Sequence, residues 1–383
     1  MYFSIIVPVF QTPSILKIFL ESLSNTIKFE TQIIFINDGS GNIVGELLHE
    51  FALLNNNICD IKIIEHQYSL GCSKSINEAL TNVSTTCEAV VFMDSDLILT
   101  SQWQARLMDD FKANPKVGII GCVLRYPQTG GIQCCGITFQ DKVGRHLYLN
   151  SKLQNIQIDE FQYVQCTIFA FCAIRYNAIK KIGFLDEDFF NGYEDWDYQM
   201  RIKKIGYSAM IDTRISHYHW EKSNGAHRNF NRKGNVARFW SIHHESIRDD
   251  LYLFIKKELS KYNIPVDHPY ILVDLCEART EAKKLSDCLI KDDLFNIIEH
   301  FDLSSLCINN MSIWLPEIFD SGFHMQKNTF IFLCDQFVRL LDNQYWWGLR
   351  KKYNTNDIII DLNSNVLEFN ELSKSFWPGT KLR

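Results

Sequence analysis

The stretch VVFMDSDLILT, residues 90–100, is an apolar run that leads into two acids. Residues 90–93 are typical of a short, buried strand in a parallel sheet. Side chains two apart on a strand share a face, so extended geometry through Ser95 would direct Asp94 and Asp96 into the same space. Two like charges repel each other there unless a cation or a donor network compensates them. The pattern therefore predicts a metal site, and a polar strand end that meets solvent is the alternative.

Around this run, the first hundred residues alternate between strand and helix patterns. Three more runs are typical of buried strands: SIIVPVF (4–10), TQIIFIND (31–38) and IKIIEH (61–66). Such alternation predicts an α/β fold with a doubly wound, mostly parallel sheet flanked by helices. Ligands bind to such sheets beyond the carboxyl ends of the strands. The polar termini of the strands are expected to converge there on one crevice.

Composition and charge exclude several classes of protein. A formal net charge of −6 over 383 residues argues against a surface that coats nucleic acid. The twelve cysteines form no C-x-x-C pair, and the apolar runs around them favour reduced thiols in a cytoplasm. No apolar run approaches the roughly 20 residues that cross a bilayer. A strand pattern begins almost directly after Met1, so we expect no leader peptide.

The pattern changes near residue 250. Segments such as ESIRDDLYLFIKKEL and NTFIFLCDQFVRLLDNQYWW show apolar spacing typical of helices. We therefore predict two regions, a catalytic domain over 1–250 and a mainly helical accessory region over 251–383. One stripe in that region could dock on a membrane surface or form a homodimer, with ordinary packing as the alternative. Its members are Phe330, Cys334, Phe337, Leu341 and Tyr345.

Four motifs occur in an order that carries a resemblance. They are IIVPVF, FINDGS, MDSD, and NGYEDWDYQMR followed by HYH. In this order the sequence resembles the family 2 inverting glycosyltransferases, which have the GT-A fold, over residues 1 to 245. The segments GGIQCCGITF and GFLDEDFFNGYEDWDY are similar to the bacterial branch that builds polysaccharide and lipopolysaccharide chains. The resemblance implies transfer of a sugar from a nucleotide-sugar donor, foremost a UDP-sugar, to a glycan or lipid-linked acceptor.

The resemblance also implies where the donor binds. The nucleotide would contact the loop after the first strand and the acid after the second: Pro8, Val9, Phe10 and Asp38. Asp38 could accept from a base N–H, or it could serve only as a turn acid. Gly71 would let the backbone approach the nucleotide, and Lys74 could reach the diphosphate. A capping glycine and a surface lysine are the alternative for these two.

Asp94, Ser95 and Asp96 match the family's D-x-D motif, which implies a Mn²⁺ or Mg²⁺ ion that neutralises the departing diphosphate. Asp96 is the expected direct ligand, while Asp94 would contact the ribose or the ion's surroundings. Relatives often carry a histidine that completes the site. His217 and His219 would share a face of a strand. Either could serve, and His217 is slightly favoured.

Glu194 and Asp195 open a predicted helix. An inverting transfer needs a base that removes the proton of the acceptor hydroxyl, and the resemblance assigns this role to Asp195. Glu194 would position the acceptor or the backbone. The alternative is that these acids merely complement the helix dipole. Asp197 agrees better with that alternative.

Other classes of protein would require different motifs. A sugar nucleotidyltransferase would need a glycine-rich triphosphate loop after the first strand, and VPVFQTP contains no glycine. A dehydrogenase would need G-x-G-x-x-G after a strand, and the chain has none there. A non-catalytic protein that retains the donor pocket stays open. The enzyme is expected in the cytoplasm, with contact to the inner face of the membrane as an open alternative.

Overall fold

The structure is a computed structural model of the 383-residue chain. It describes residues 2–57, 59–151, 158–221, 231–262, 264, 268–292, 294–303, 329–337 and 357–368. The chain forms two compact units, each with its own sheet. The first unit comprises Met1–Ile137 and Ser151–Ile247, and the second comprises Thr138–Asn150 and Arg248–Arg383.

Strands and helices are numbered in chain order. The strands are β1 (Phe3–Val9), β2 (Thr31–Asp38), β3 (Cys59–His66), β4 (Ala89–Met93), β5 (Leu97–Ile98), β6 (Val117–Arg125), β7 (Ile132–Cys134), β8 (Ile137–Gln140), β9 (Val143–His146), β10 (Phe161–Val164), β11 (Phe171–Arg175), β12 (Ser208–His219), β13 (Pro269–Asp274), β14 (Asn296–Asp302), β15 (Thr329–Cys334), β16 (Ile358–Asp361) and β17 (Val366–Glu368). The helices are α1 (Pro13–Thr26), α2 (Asn42–Asn55), α3 (Cys72–Leu80), α4 (Trp103–Ala113), α5 (Tyr176–Ile182), α6 (Glu194–Lys204), α7 (Arg232–His243), α8 (Leu251–Leu259) and α9 (Arg279–Lys291).

The first unit contains one large mixed sheet. Within the described residues its strand order is β10-β12-β6-β11-β4-β1-β2-β3, and β5 and β7 pair with β12 and β6. The strands β3, β2, β1 and β4 run parallel, while β11 lies antiparallel between β4 and β6. The predicted sheet flanked by helices is confirmed. The carboxyl ends of β1, β2 and β4 therefore lie at one edge, as expected.

Apolar, β-branched side chains explain why these segments are central strands. All eight residues of β2 and all five of β4 are buried, as both faces of a covered sheet require. Helix α1 begins at Pro13, a first position where the missing N–H of proline removes no hydrogen bond. The helices pack against the sheet and leave the strand ends to carry polar residues.

Two irregularities interrupt the strand pairing near those ends. In β12, Asp212 pairs with Cys122 but Ser216 pairs with Val123, so three extra residues bulge from β12. In β7, Cys134 and Ile132 pair with successive residues of β6, which leaves Gln133 as the extra residue. Bulges of this kind turn side chains toward new directions and often lie beside active sites.

The second unit has its own α/β core. Its sheet has the order β14-β13-β15-β16-β17, with the first four strands parallel and β17 antiparallel to β16. Apolar side chains of α8 and α9, such as Ile255 and Leu285, are buried in one cluster with Leu272 and Ile331 of the sheet. Strands β8 and β9 form a separate two-stranded sheet.

The prediction that 251–383 is mainly helical is wrong for the described part of that region, which contains five strands beside two helices. Phe330 and Cys334 lie in β15, where all six residues are buried, and not on a helical stripe. Leu341 and Tyr345 lie outside the described residues. A short apolar run between polar segments is compatible with a helix or a strand, and burial from both sides selected the strand here.

Candidate active site

The two acids that follow β4 are held in place by backbone hydrogen bonds. The Asp94 N–H donates to the carbonyl of Ala170 at 3.0 Å, and the Asp96 carbonyl accepts from Trp220 N–H at 3.1 Å. The Asp96 side chain is 9% exposed, whereas the Asp94 side chain is 40% exposed. One carboxylate is therefore enclosed, and the other faces the crevice.

His219 completes a cluster with these acids. Its Nε2 lies 3.0 Å from Asp96 Oδ1 and 3.5 Å from Asp94 Oδ2. Burial alone would lower the pKa of His219, but hydrogen bonds with Asp94 and Asp96 outweigh it and raise the pKa to about 9. The two carboxylates thus favour positive charge at this point.

The chemistry of this cluster suits a divalent ion. One ligand atom from each of Asp94, Asp96 and His219 lies within 4.8 Å of the other two. Two carboxylate oxygens and an imidazole nitrogen form a set that Mn²⁺ accepts readily, and Mg²⁺ prefers oxygen more strongly. Among the acids, histidines and cysteines that the structure describes, these three are the ones that lie close enough together to hold a metal ion.

His217, which the sequence slightly favoured, lies elsewhere. Its Nδ1 accepts from the Thr100 N–H at 3.1 Å, and its ring packs against Phe171 with the centroids 4.5 Å apart. Burial lowers the pKa of His217 to about 3, with a smaller contribution from Arg125. The structure thus places His219, and not His217, at the carboxylates, because Thr100 and Phe171 hold the His217 ring in another direction.

Glu194 and Asp195 open α6, as predicted. Glu194 is buried and accepts a hydrogen bond from the Gly192 N–H, which fixes the turn that precedes the helix. Asp195 is partly exposed; its Oδ1 accepts from Trp196 N–H at 2.9 Å and its Oδ2 from Phe169 N–H at 3.4 Å. Because Asp195 is partly exposed, its carboxylate is accessible to a ligand.

One short segment connects the two groups of acids. Phe169 donates its N–H to Asp195, and Ala170 next to it accepts from Asp94. The Phe169 ring also stacks on Phe92 of β4, with ring centroids 4.5 Å apart. Residues 169–170 therefore bring the D-x-D motif and the opening of α6 to the same place.

Asp197 has a structural role. Its Oδ1 lies 2.8 Å from His243 Nε2, and its Oδ2 accepts from Arg201 Nε at 2.9 Å. Burial acts to raise the pKa of Asp197, but His243 and Arg201 outweigh it and lower the pKa. His243 is thus paired with an acid of α6.

Asp38 and Gly71, two of the predicted donor-binding residues, meet at the loop after β3. The Asp38 Oδ1 atom contacts His66 Nδ1 at 2.7 Å and Leu70 N–H at 2.8 Å, while its Oδ2 accepts from Ser69 Oγ and Gly71 N–H. Burial acts to raise the pKa of Asp38, but the hydrogen bond with His66 and those from the loop outweigh it and lower the pKa. The Asp38 carboxylate therefore fixes residues 66–71. This agrees better with a structural turn acid than with an acid that is free to bind a nucleotide base.

Two glycines permit the close approach of these loops. A Cβ atom on Gly39 would lie 2.6 Å from the Ser69 nitrogen, and one on Gly71 would lie 3.2 Å from the Phe190 ring. Both have positive φ angles, 74° and 89°. Gly71 precedes α3, and Lys74 in the first turn of that helix is exposed.

The loop after β1 is tied to the same edge of the sheet. Ser40 Oγ donates to the Val9 carbonyl at 3.2 Å and accepts from the Gln11 N–H at 2.9 Å. Pro8 and Phe10 are partly exposed beside it. The predicted donor residues therefore share one edge of the sheet with the acid cluster.

Two residues near the site were missed by the sequence reasoning. Gln133 contacts His219 Nδ1 through its Oε1 at 2.6 Å. Asn235 of α7 donates to the carbonyls of Phe190 and Gly192 and so fixes the loop before α6. A buried amide between Ile132 and Cys134 was the available signal for Gln133, since polar side chains in apolar strands usually have partners.

The sequence model described as "Glycosyl transferase family 2" matches residues 4–183. Those residues form a family 2 glycosyltransferase domain. The predicted family and its class as a transferase enzyme are confirmed for this domain, whose mixed sheet flanked by helices agrees with the predicted fold class. The family model ends before α6, so it does not cover Asp195 or His219.

Among curated proteins, the domain is similar to a poly-beta-1,6-N-acetyl-D-glucosamine synthase of Staphylococcus epidermidis. The two are 30% identical over 103 residues, which are 26% of this chain and 24% of the relative. The match thus spans about a quarter of the relative's length.

Two solved structures of glycosyltransferases were also found. One is the mannosyltransferase PcManGT from Pyrobaculum calidifontis in complex with GDP-Man and Mn²⁺, with a TM-score of 0.47, 14% identity and coverage of 64% of this chain and 65% of the other. The second is GalNAc-T7 with UDP, GalNAc and Mn²⁺, with a TM-score of 0.49, 14% identity and coverage of 68% and 52%.

Proposed function

We propose that the first unit transfers a sugar, with inversion, from a nucleotide-sugar to a hydroxyl group of a glycan or lipid-linked acceptor. The observation that carries this proposal is the cluster of Asp94, Asp96 and His219 at the edge of a family 2 domain, joined through residues 169–170 to Asp195. A cation site and a base are the two elements that such a transfer needs.

Asp96 and His219 would hold a divalent ion, Mn²⁺ or Mg²⁺, and Asp94 would contact it or the donor's ribose. When bound, such an ion neutralises the charge that develops on a leaving diphosphate. The imidazole favours Mn²⁺. The burial of Asp96 and His219 keeps their charges strong, because water screens them little.

Asp195 would act as the base. As the acceptor oxygen forms its bond to the anomeric carbon, the bond from that carbon to the diphosphate oxygen breaks, and the acceptor's proton passes to Asp195. The nucleoside diphosphate leaves with the electron pair. Glu194 would hold the Gly192 turn and thereby set the direction of α6.

The donor's nucleotide would lie along the edge formed by residues 8–10, Asp38 and residues 69–71. Asp38 supports this surface by fixing the loop with four hydrogen-bond contacts. Lys74 would meet the diphosphate from the exposed first turn of α3. A UDP-sugar is the proposed donor, and the name of the staphylococcal relative makes a UDP-N-acetylhexosamine the first to examine.

We place the reaction in the cytoplasm, as part of surface polysaccharide synthesis. The twelve cysteines form no C-x-x-C pair, and the apolar runs around many of them favour reduced thiols, which supports a reducing compartment. Across the described ranges, no helix combines the length and apolar character that crossing a bilayer requires. Part of the carboxyl-terminal stripe is the buried strand β15. We therefore do not propose membrane contact or dimerisation through that stripe.

A panel of nucleotide sugars tests the proposal. The unfolding temperature of the full chain is measured with each donor, with and without Mn²⁺, followed by release of nucleotide from the donors that bind. We expect one UDP-sugar to raise the temperature only when Mn²⁺ is present, because a ligand stabilises the folded state that binds it. Binding without any turnover on candidate acceptors would favour the non-catalytic alternative.

A further inference from the structure

Gln133 contacts the nitrogen of His219 that faces away from the acids. Its Oε1 lies 2.6 Å from His219 Nδ1, while His219 Nε2 faces Asp94 and Asp96. Gln133 is 1% exposed and is the extra residue of the β7 bulge. The bulge thus directs an amide from a buried strand toward the histidine.

The orientation of this amide is set by its other neighbour. Gln133 Nε2 donates to Glu221 Oε2 at 3.2 Å. An ionised carboxylate can only accept hydrogen bonds, so the amide nitrogen must face Glu221 and the amide oxygen must face His219. An oxygen at that place accepts a hydrogen from Nδ1, which leaves the lone pair of Nε2 for an ion.

Glu221 is itself held in position. It has a φ angle of 40°, in the left-handed region, and it follows Trp220, whose N–H donates to Asp96. Burial, and next to it the charge of Glu221, raise the pKa of Tyr126, so the phenol keeps its proton and can donate to that carboxylate. Tyr126 begins the turn that joins β6 to β7, so one hairpin supplies both Tyr126 and Gln133.

We propose that Gln133 is a positioning residue that fixes His219 with its hydrogen on Nδ1 and its free Nε2 toward the cation site, and that Glu221 fixes Gln133. This inference rests on the proposed function, because it requires that Asp94, Asp96 and His219 hold a divalent ion. Some residues orient a histidine ligand through its second nitrogen, and replacing such a residue commonly lowers metal affinity by about 10- to 100-fold.

The experiment measures Mn²⁺ binding to the full chain by electron paramagnetic resonance, with no donor present. The variant Q133M removes the acceptor at nearly constant volume, and we expect its Kd for Mn²⁺ to rise by about 10- to 100-fold. The control is Q104M, since Gln104 is a similarly buried amide. Its hydrogen-bond partners are Lys28, Phe29 and Thr31, at the start of β2. We expect the Kd of Q104M to match that of the wild type.

A charge-conserving exchange provides the second variant. In Q133E/E221Q the carboxylate at position 133 accepts from both His219 Nδ1 and the new amide, so we expect Mn²⁺ affinity close to that of the wild type. This variant carries the test if Q133M does not fold. Wild-type affinity in Q133M, or affinity in Q133E/E221Q as weak as that expected for Q133M, would overturn the role of Gln133. No Mn²⁺ binding by the wild type would instead refute the metal site of the proposed function.

Discussion

Both sheets of this protein end parallel strands in aspartates, but the two sets have different surroundings. In the first unit, Asp94 and Asp96 follow β4 and face an imidazole nitrogen. In the second unit, Asp274 and Asp361 end β13 and β16, and Asp335 follows β15. An acid at a strand end is therefore not a metal site by position alone.

The acids of the second unit accept hydrogen bonds from nearby backbone and side-chain donors. Asp335 accepts from Glu277 N–H at 2.7 Å, and Asp274 accepts from Cys276 N–H at 3.0 Å. Asp361 accepts from three backbone N–H groups, of Phe337, Asn363 and Asn365, and from the Asn365 side chain. These carboxylates fix loops. The acids of the first unit converge with a histidine nitrogen, and that convergence makes them the candidate cation site.

The largest expected difference between the two units comes from neutralising one acid in each set. We expect Asp96→Asn to lower Mn²⁺-dependent transfer by roughly 100- to 1,000-fold, because an amide cannot balance the charge of the ion. Asp274→Asn is the matched variant, since its remaining oxygen can still accept from Cys276. Initial rates of nucleotide release measure both. Equal losses in the two variants would contradict the distinction between the sets.

The base is expected to be separable from the cation site. Asp195→Asn should lower transfer by about 100- to 10,000-fold, because an amide cannot take the acceptor's proton. Donor affinity and Mn²⁺ affinity should stay near the wild-type values, which thermal shift and paramagnetic resonance can check. Unchanged turnover in this variant would exclude Asp195 as the base.

The second unit should respond to loss of an acid through stability. Asp361→Ala leaves several buried donors without their acceptor, so we expect the free energy of unfolding to fall by about 3 kcal/mol. Urea unfolding monitored by circular dichroism measures the change. Mn²⁺ affinity under folding conditions should remain unchanged, and a large loss of affinity would show that the two sets of acids are coupled.

The smallest effect concerns His66, which contacts Asp38, an acid of the first unit that fixes a loop. Burial acts to lower the pKa of His66, but its hydrogen bonds with Asp38 and Glu78 outweigh burial and raise the pKa. A raised pKa means that His66 stabilises the fold below its unfolded pKa of about 6.5 and loses this contribution as pH rises through the folded pKa. His66→Gln should therefore cost more stability at pH 6 than at pH 9. His49→Gln, at an exposed site, is the control.

The sequence predicted the features that local pattern determines. The apolar runs of β1, β2 and β4 allow one interpretation, and the prediction that Asp94 and Asp96 lie together is confirmed. The expected extended geometry through Ser95 is wrong, because β4 ends at Met93 and a turn at residues 95–96 brings the two acids to His219. The choice between His217 and His219 depended on Thr100, Phe171 and Gln133, which are distant in the chain and are brought near by pairing and bulges. The prediction for β15 was wrong because five successive buried apolar residues, 330–334, show no period of their own.

The segment at residues 169–170 has a consequence for how such an enzyme can change. Its two peptide groups bind Asp94 on one side and Asp195 on the other, so in the proposed mechanism the backbone of these two residues would set the distance between the cation and the base. Under that mechanism, a change in a loop outside this segment would leave the distance between the cation and the base unaltered.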